Sequence, residues 1–397
     1  MKADRIFVNG YIYTVNDRSE WVEAVAIKGD RIIYAGDEEG ARSLCGENTE
    51  VTDLAGKMML PGFIDGHCHP VLAAHYLCGV YLQIEWGVEE CLAEIEKYVK
   101  ANPDNETYFG IGYAEWIFDE TGPKKEMLDA ICADRPMMIL GSSAHEAWVN
   151  SKALELAGIT KDTPDPIPGF HYFHRDAEGE PTGHLLEMGT QNMIMEKINF
   201  FDRDTIEHVM QEASDGYAAM GVTSTCDMGM QEFGLKVYYE TLPEMIDSGI
   251  YKQRFFGCGQ MVAEKGDEDV VLPRLIEYSR KYDSDKYNIH FLKIINDGTL
   301  ETRSAALSDP YDEDGSLVQP LFTREKIAEV GLKAAAAGLD INVHGIGDEA
   351  ISGTLAMAKA IREAGYDDCR ITNSHCDYVK DEELELFGRY DVIANTT

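Results

Sequence analysis

From about residue 205 onward the sequence repeats one unit: an amphipathic helical stretch, a short break, and a brief apolar run ending in polar or ionisable residues. "TIEHVMQEASDGYAAMG" precedes "VTSTCDM", "REKIAEVGLKAAAAG" precedes "LDINVHGIGD", and "AISGTLAMAKAIREAG" precedes "CRITNSHCD". Helical periodicity alternating with short apolar runs marks helices alternating with strands, and that order implies parallel βα units. Together with the earlier run "MLPGFIDGHCHP", the pattern supplies seven such strands, the last of them in "DVIANTT". The expected fold is α/β: a (β/α)8 TIM-type barrel whose last unit is absent from this chain.

Two further regions complete the expected organisation. Residues 1–57 read as a small β-sheet domain of short alternating strands, with Asn9-Gly10 and Gly29-Asp30 as hairpin turns. Residues 58–397 form the barrel, and 75–215 interrupt it after its first strand as an insertion subdomain. Within the insertion, "EECLAEIEKYVKAN" predicts a helix and "ETYFGIGYAEW" a strand. The Pro- and Gly-rich stretch 160–183 predicts a long surface excursion.

The strand ends carry the chemistry. In an extended strand, side chains alternate between faces, so His67 and His69 point the same way and Cys68 the other. Lys293 sits inside the apolar "FLKIIND", "INVHG" reaches His344, and "ITNSHCD" reaches His375. A barrel gathers the C-terminal ends of its strands on one face, so four histidines and a lysine from four strands share one mouth. Singly, a strand histidine reads as a satisfied core residue, and a lysine as one that snorkels to the barrel end. Together they read as metal ligands, with zinc the best match to a His-rich set and iron or manganese the alternatives. A lysine amine that takes up carbon dioxide becomes a carbamate, whose two oxygens can bridge two cations.

Charge and composition exclude other partners. Acidic residues outnumber basic ones 71 to 35, a formal net charge of −36, which would repel nucleic acid and anionic membrane. No apolar run reaches the length of a membrane span, and the start lacks a signal-peptide pattern. Nine scattered cysteines without a CxxC pair then read as reduced thiols, and the expected location is the cytoplasm. "HGIGDEA" lacks the spacing of a dinucleotide loop.

The order HxH, Lys, His, His on successive strands resembles the amidohydrolase superfamily. Within it, "LPGFIDGHCHP", "AHEAWVNSKALELAGI", "GVTSTCDM", "LKIINDGTLETRSAAL", "HGIGDEA" and "NSHCD" resemble the YtcJ-like branch, amidohydrolase family 3, which includes N-substituted formamide deformylases. The resemblance implies a hydrolase that cleaves an amide- or formamide-type C–N bond of a small molecule with a metal-activated water. It implies that His67 and His69 bind the more buried of two divalent ions, that Lys293 bridges both as a carbamate, and that His344 and His375 hold the second. Substrate contacts are expected from His145, Glu115, Trp116 and Glu187 in the insertion and from Arg303 beyond Lys293. Asp65 is expected to orient a ligand or to serve a turn, Asp297-Gly298 to form a turn beside the metals, and Cys226 to be a buried thiol. Glu301 departs from the small residue expected at its position.

The family's eighth-strand aspartate has no counterpart here, so the 397-residue chain alone is expected to be inactive. The alternative readings are a non-hydrolytic isomerase or decarboxylase, and a truncated, catalytically dead ligand-binding form. A homodimer is the default assembly.

Overall fold

The computed structural model describes all residues except 78, 201–202, 230–231, 263–266, 301 and 313–314; Cys78 and Glu301 therefore lie outside the described residues. The chain divides into two compact units, Met1–Ile64 and Asp65–Thr397. In the first, Arg5–Val8 pairs antiparallel with Ala24–Lys28 and parallel with Glu50–Asp53. Arg31–Gly36 adds the fourth strand. Asn9 and Gly29 take positive φ of 56° and 58° at the two predicted turns, a conformation that asparagine and glycine adopt most readily. Ile6, Val8, Ala24 and Ala26 alternate inward to form this unit's core with Ala41.

The second unit is built on a seven-stranded sheet, which it enters at Asp65 within the first strand: β1 (Phe63–Cys68), β2 (Val222–Asp227), β3 (Arg254–Met261), β4 (Tyr287–Ile295), β5 (Asp340–Gly345), β6 (Ile371–His375) and β7 (Val392–Asn395). The strands lie side by side in chain order, and the pairs from β2 to β7 are parallel. A helix precedes each strand after the first: α1 (Arg203–Ala219), α2 (Glu232–Ser248), α3 (Asp267–Lys281), α4 (Arg324–Ala336), α5 (Asp348–Glu363) and α6 (Leu384–Arg389). The helices follow their sequence pattern. α4 is capped by the Thr323 side chain, which accepts from the Lys326 N–H, and it buries Ile327, Val330 and Ala334 on one stripe. The sheet curls: Asn395, ending edge strand β7, approaches within 3.3 Å of His67 near the end of the opposite edge strand β1.

Between β1 and α1 stands a six-stranded sheet in the order Tyr172–Arg175, Pro181–Leu186, Glu146–Val149, Met137–Gly141, Tyr108–Tyr113, Val80–Tyr81. The stretch 160–183, expected as a surface excursion, contributes strands to this sheet. Phe173 and Leu185 are buried register partners, and their burial outweighs the Pro and Gly signals around them. Among the described residues, no helix is long and apolar enough to cross a membrane, and all eight cysteines are free thiols.

Candidate functional site

Register explains which side chains meet at the sheet's C-terminal end. Lys293 stands opposite Asn342, and Ile295 opposite His344; on the next strand, Thr372 stands opposite Asn342 and Ser374 opposite His344. Strict alternation therefore gives Ser374 the inner face and turns its neighbour His375 away. The backbone overrides this. His375 and Cys376 both adopt left-handed φ, 80° and 58°, which swings the His375 ring back over the site.

The four histidines are gathered. Ring centroids are 5.8 Å apart for His67 and His69, 5.2 Å for His67 and His375, and 4.5 Å for His344 and His375. Three rings each place one nitrogen on a backbone carbonyl. His69 Nδ1 is 3.0 Å from Gly229 O, His375 Nδ1 3.0 Å from Thr397 O, and His344 Nε2 3.2 Å from Gly298 O. A carbonyl oxygen only accepts, so those nitrogens carry the proton. The lone pair is left on Nε2 of His69 and His375 and on Nδ1 of His344. Burial lowers all four: His67 to about 3, with the Lys293, His69 and His375 charges adding to it, His69 to about 4, His344 well below the usual histidine value, and His375 also below it. Neutral imidazoles with one nitrogen held and the other bare are the ligand form of histidine, so the donor set fits a divalent transition ion. Among the described residues, no three His, Cys, Asp or Glu side chains are already drawn together to the spacing of a bound ion.

Lys293 is only 2% exposed, and its Nζ donates to Asn342 Oδ1 at 2.9 Å. Burial lowers it to about 8, against Cys258 and Cys226, which pull it up. Asp297 is buried in the loop that follows β4. Its carboxylate accepts from the Ala306, Ile346 and Gly347 N–H groups and lies 3.8 Å from His344. The Asp65 carboxylate accepts from the His67 backbone N–H at 3.2 Å.

A second polar group forms in the insertion. His145 Nδ1 is 2.8 Å from Glu187 Oε2, and the Glu187 N–H returns a bond to the His145 carbonyl at 2.6 Å. Glu115 accepts from Ser142 Oγ, Ser143 Oγ and the Ser143 N–H, which together hold its carboxyl below the usual range despite burial. Gly141 admits this carboxylate: an added Cβ would stand 2.5 Å from Glu115 Oε1. The His145 charge is the smallest of the causes that lower His344. Trp116 is 71% exposed, and Arg303 is exposed with a left-handed φ of 54°. Cys226 is partly buried at the end of β2, its thiol pushed up to about 12 by burial.

Sequence reasoning passed over Asn342, Ser374 and Asn395. Asn342 was within reach, since it lies two residues before His344 on the same face. Ser374 was hidden by the expectation that His375 held the inner position.

A family model described as the amidohydrolase family matches residues 50–396. The exoenzymes regulatory protein AepA of Pectobacterium carotovorum subsp. carotovorum is 30% identical over 88% of this chain and 75% of its own length. YtcJ of Bacillus subtilis (strain 168) is 28% identical over 99% of this chain and 72% of its own. The N-substituted formamide deformylase of Arthrobacter pascens is 26% identical over 94% and 68%. Among solved structures, an uncharacterized metal-dependent hydrolase from Pyrococcus horikoshii OT3 superposes with a TM-score of 0.74 at 25% identity, covering 98% of this chain and 74% of that one. Its sequence match, its relatives and its fold agree: the chain belongs to the amidohydrolase family, in the YtcJ-like branch.

Proposed function

We propose that the chain is a metal-dependent hydrolase of small molecules that cleaves an amide- or formamide-type C–N bond. The observation that carries this reading is the convergence of four neutral histidine rings and a buried lysine at one end of the sheet. His67 and His69 would hold one divalent ion, His344 and His375 a second, with Lys293 as a carbamate between them. Zinc is the best match to these donors. Ions bound there would polarise a substrate carbonyl and lower the pKa of water.

The chain's own groups supply the rest. Three backbone carbonyls hold the rings of His69, His344 and His375 in one tautomer each. Burial by the surrounding strands excludes water from Lys293. Glu187 accepts from His145 Nδ1 and fixes the ring, so Nε2 faces the substrate as an acceptor when the ring is neutral and as a donor to a substrate oxygen when it is protonated. Trp116 and Arg303, both exposed, would contact the rest of the substrate. The hydrolase character of the family supports the reaction class, and the deformylase relative supports formamides as the first substrates to try.

The test is turnover of a panel of N-substituted formamides, simple amides and esters by the purified chain, stripped with chelator and reloaded with zinc and bicarbonate. Amine release that requires zinc and is abolished in His67→Ala supports the reading, and overturns the expectation of inactivity. Binding of zinc and substrate amides without any turnover would instead establish the ligand-binding alternative.

A further inference from the structure

Ser374 Oγ lies 3.0 Å from Asn342 Oδ1 and 3.1 Å from His67 Nδ1. Asn342 Oδ1 also takes the bond from Lys293 Nζ at 2.9 Å. One unbroken chain of side chains therefore runs from β4 through β5 and β6 to β1: Lys293, Asn342, Ser374, His67. Lys293, Asn342 and Ser374 are all buried, so water does not compete for these bonds.

The direction of the chain follows from proton counting. A lysine amine is a donor here, so the Asn342 atom that faces it is the carbonyl oxygen. That oxygen cannot donate, so the Ser374 hydroxyl must point its single proton at Asn342. Ser374 then has only lone pairs left for His67, and His67 Nδ1 must carry a hydrogen. Asn395 Nδ2 stands 3.3 Å from the same nitrogen. Two donors cannot meet there, so with Nδ1 protonated the Asn395 amide must turn its oxygen to the ring, where it is a second acceptor.

We infer that Asn342 and Ser374 are positioning residues that lock His67 as its Nδ1–H tautomer, with Lys293 setting the direction of the lock. The His67 Nε2 lone pair is then the one presented to the site, matching His69 and His375. A carbamate on Lys293 keeps one N–H, so the same direction holds whether or not the lysine is carboxylated. Lys293 thus acts on the far edge strand through two intermediates as well as locally. The consequence for metal rests on the proposed reading of His67 as a ligand; the tautomer assignment does not.

The experiment uses the full 397-residue chain with 15N-labelled histidine. Long-range 1H–15N spectra distinguish the two neutral tautomers, and His67→Gln identifies the His67 signals among the 11 histidines. The metal-free protein near pH 7.5 is expected to give an Nδ1–H pattern for His67. An Nε2–H pattern there overturns the inference without recourse to any variant. Asn342→Leu removes the acceptor, frees the Ser374 proton for His67 and is expected to shift His67 toward Nε2–H. Asn342→Asp keeps an acceptor and is expected to restore Nδ1–H. An unchanged His67 pattern in folded Asn342→Leu overturns the role of the relay.

Zinc affinity by chelator competition is expected to fall at least ~10-fold in Asn342→Leu and recover in Asn342→Asp. If the tautomer shifts as expected but His67→Gln leaves zinc affinity intact, the relay stands and the metal reading of His67 falls.

Discussion

Burial pulls both His145 and Lys293 down, and their partners decide opposite outcomes. Burial alone would lower His145, but its hydrogen bond to Glu187 and the charge of that carboxylate outweigh it, and the net shift is upward. A folded value above the unfolded one means the protonated pair stabilises the fold at pH below the usual histidine value. That contribution disappears as pH rises through the raised folded value. The pair is partly buried, and its contribution is about 1 kcal/mol. Melting temperature against pH should show wild type losing stability from mildly acidic to mildly alkaline pH relative to Glu187→Gln. Parallel curves would remove the pair from the account. Lys293 has the reverse character, an amine held in an apolar strand with a neutral acceptor. Lys293→Met is expected to stabilise the metal-free protein by about 1–3 kcal/mol in urea titration while lowering metal-dependent turnover at least ~100-fold. A destabilised, still active variant would contradict both halves.

At the scale of elements, the βα alternation, the turns at Asn9 and Gly29 and the strands bearing His67, Lys293 and His344 are legible because each rests on local chemistry or strict periodicity. His375 reaches the site by a different route. Its strand's alternation points to Ser374, and only the left-handed turn at residues 375 and 376 brings the ring inward, which no local pattern announces. Likewise, His145 and Glu187 are 42 residues apart and meet because Glu146 and Leu186 are cross-strand partners. Such pairings are set by the insertion sheet as a whole. Asn150 ties that sheet to its neighbouring helix. Fully buried, it accepts from the Met137 and Ala153 N–H groups and donates to the Cys132 and Arg135 carbonyls. Replacing it by alanine strands several backbone groups and removes a helix cap, so Asn150→Ala should cost about 3 kcal/mol by urea titration. A loss below about 1 kcal/mol would mean that water or neighbours replace these bonds.

For the whole molecule, the dominant global quantity is the net charge of −36. Self-repulsion at that charge opposes the compact state, and salt relieves it as the Debye length falls from ~30 Å at 0.01 M to ~8 Å at 0.15 M. Melting temperature should therefore rise with sodium chloride over that range, and a fall would show that the surface ion pairs outweigh the repulsion. A more local quantity decides the proposed function: whether the end of the curled sheet that gathers the four histidines binds metal. The most direct test is elemental analysis of the purified chain after incubation with zinc and bicarbonate, beside His67→Ala and His344→Ala. We predict about two zinc ions per chain for wild type, with loss of bound zinc in each variant. Wild type without zinc, or variants that retain it in full, would contradict the account.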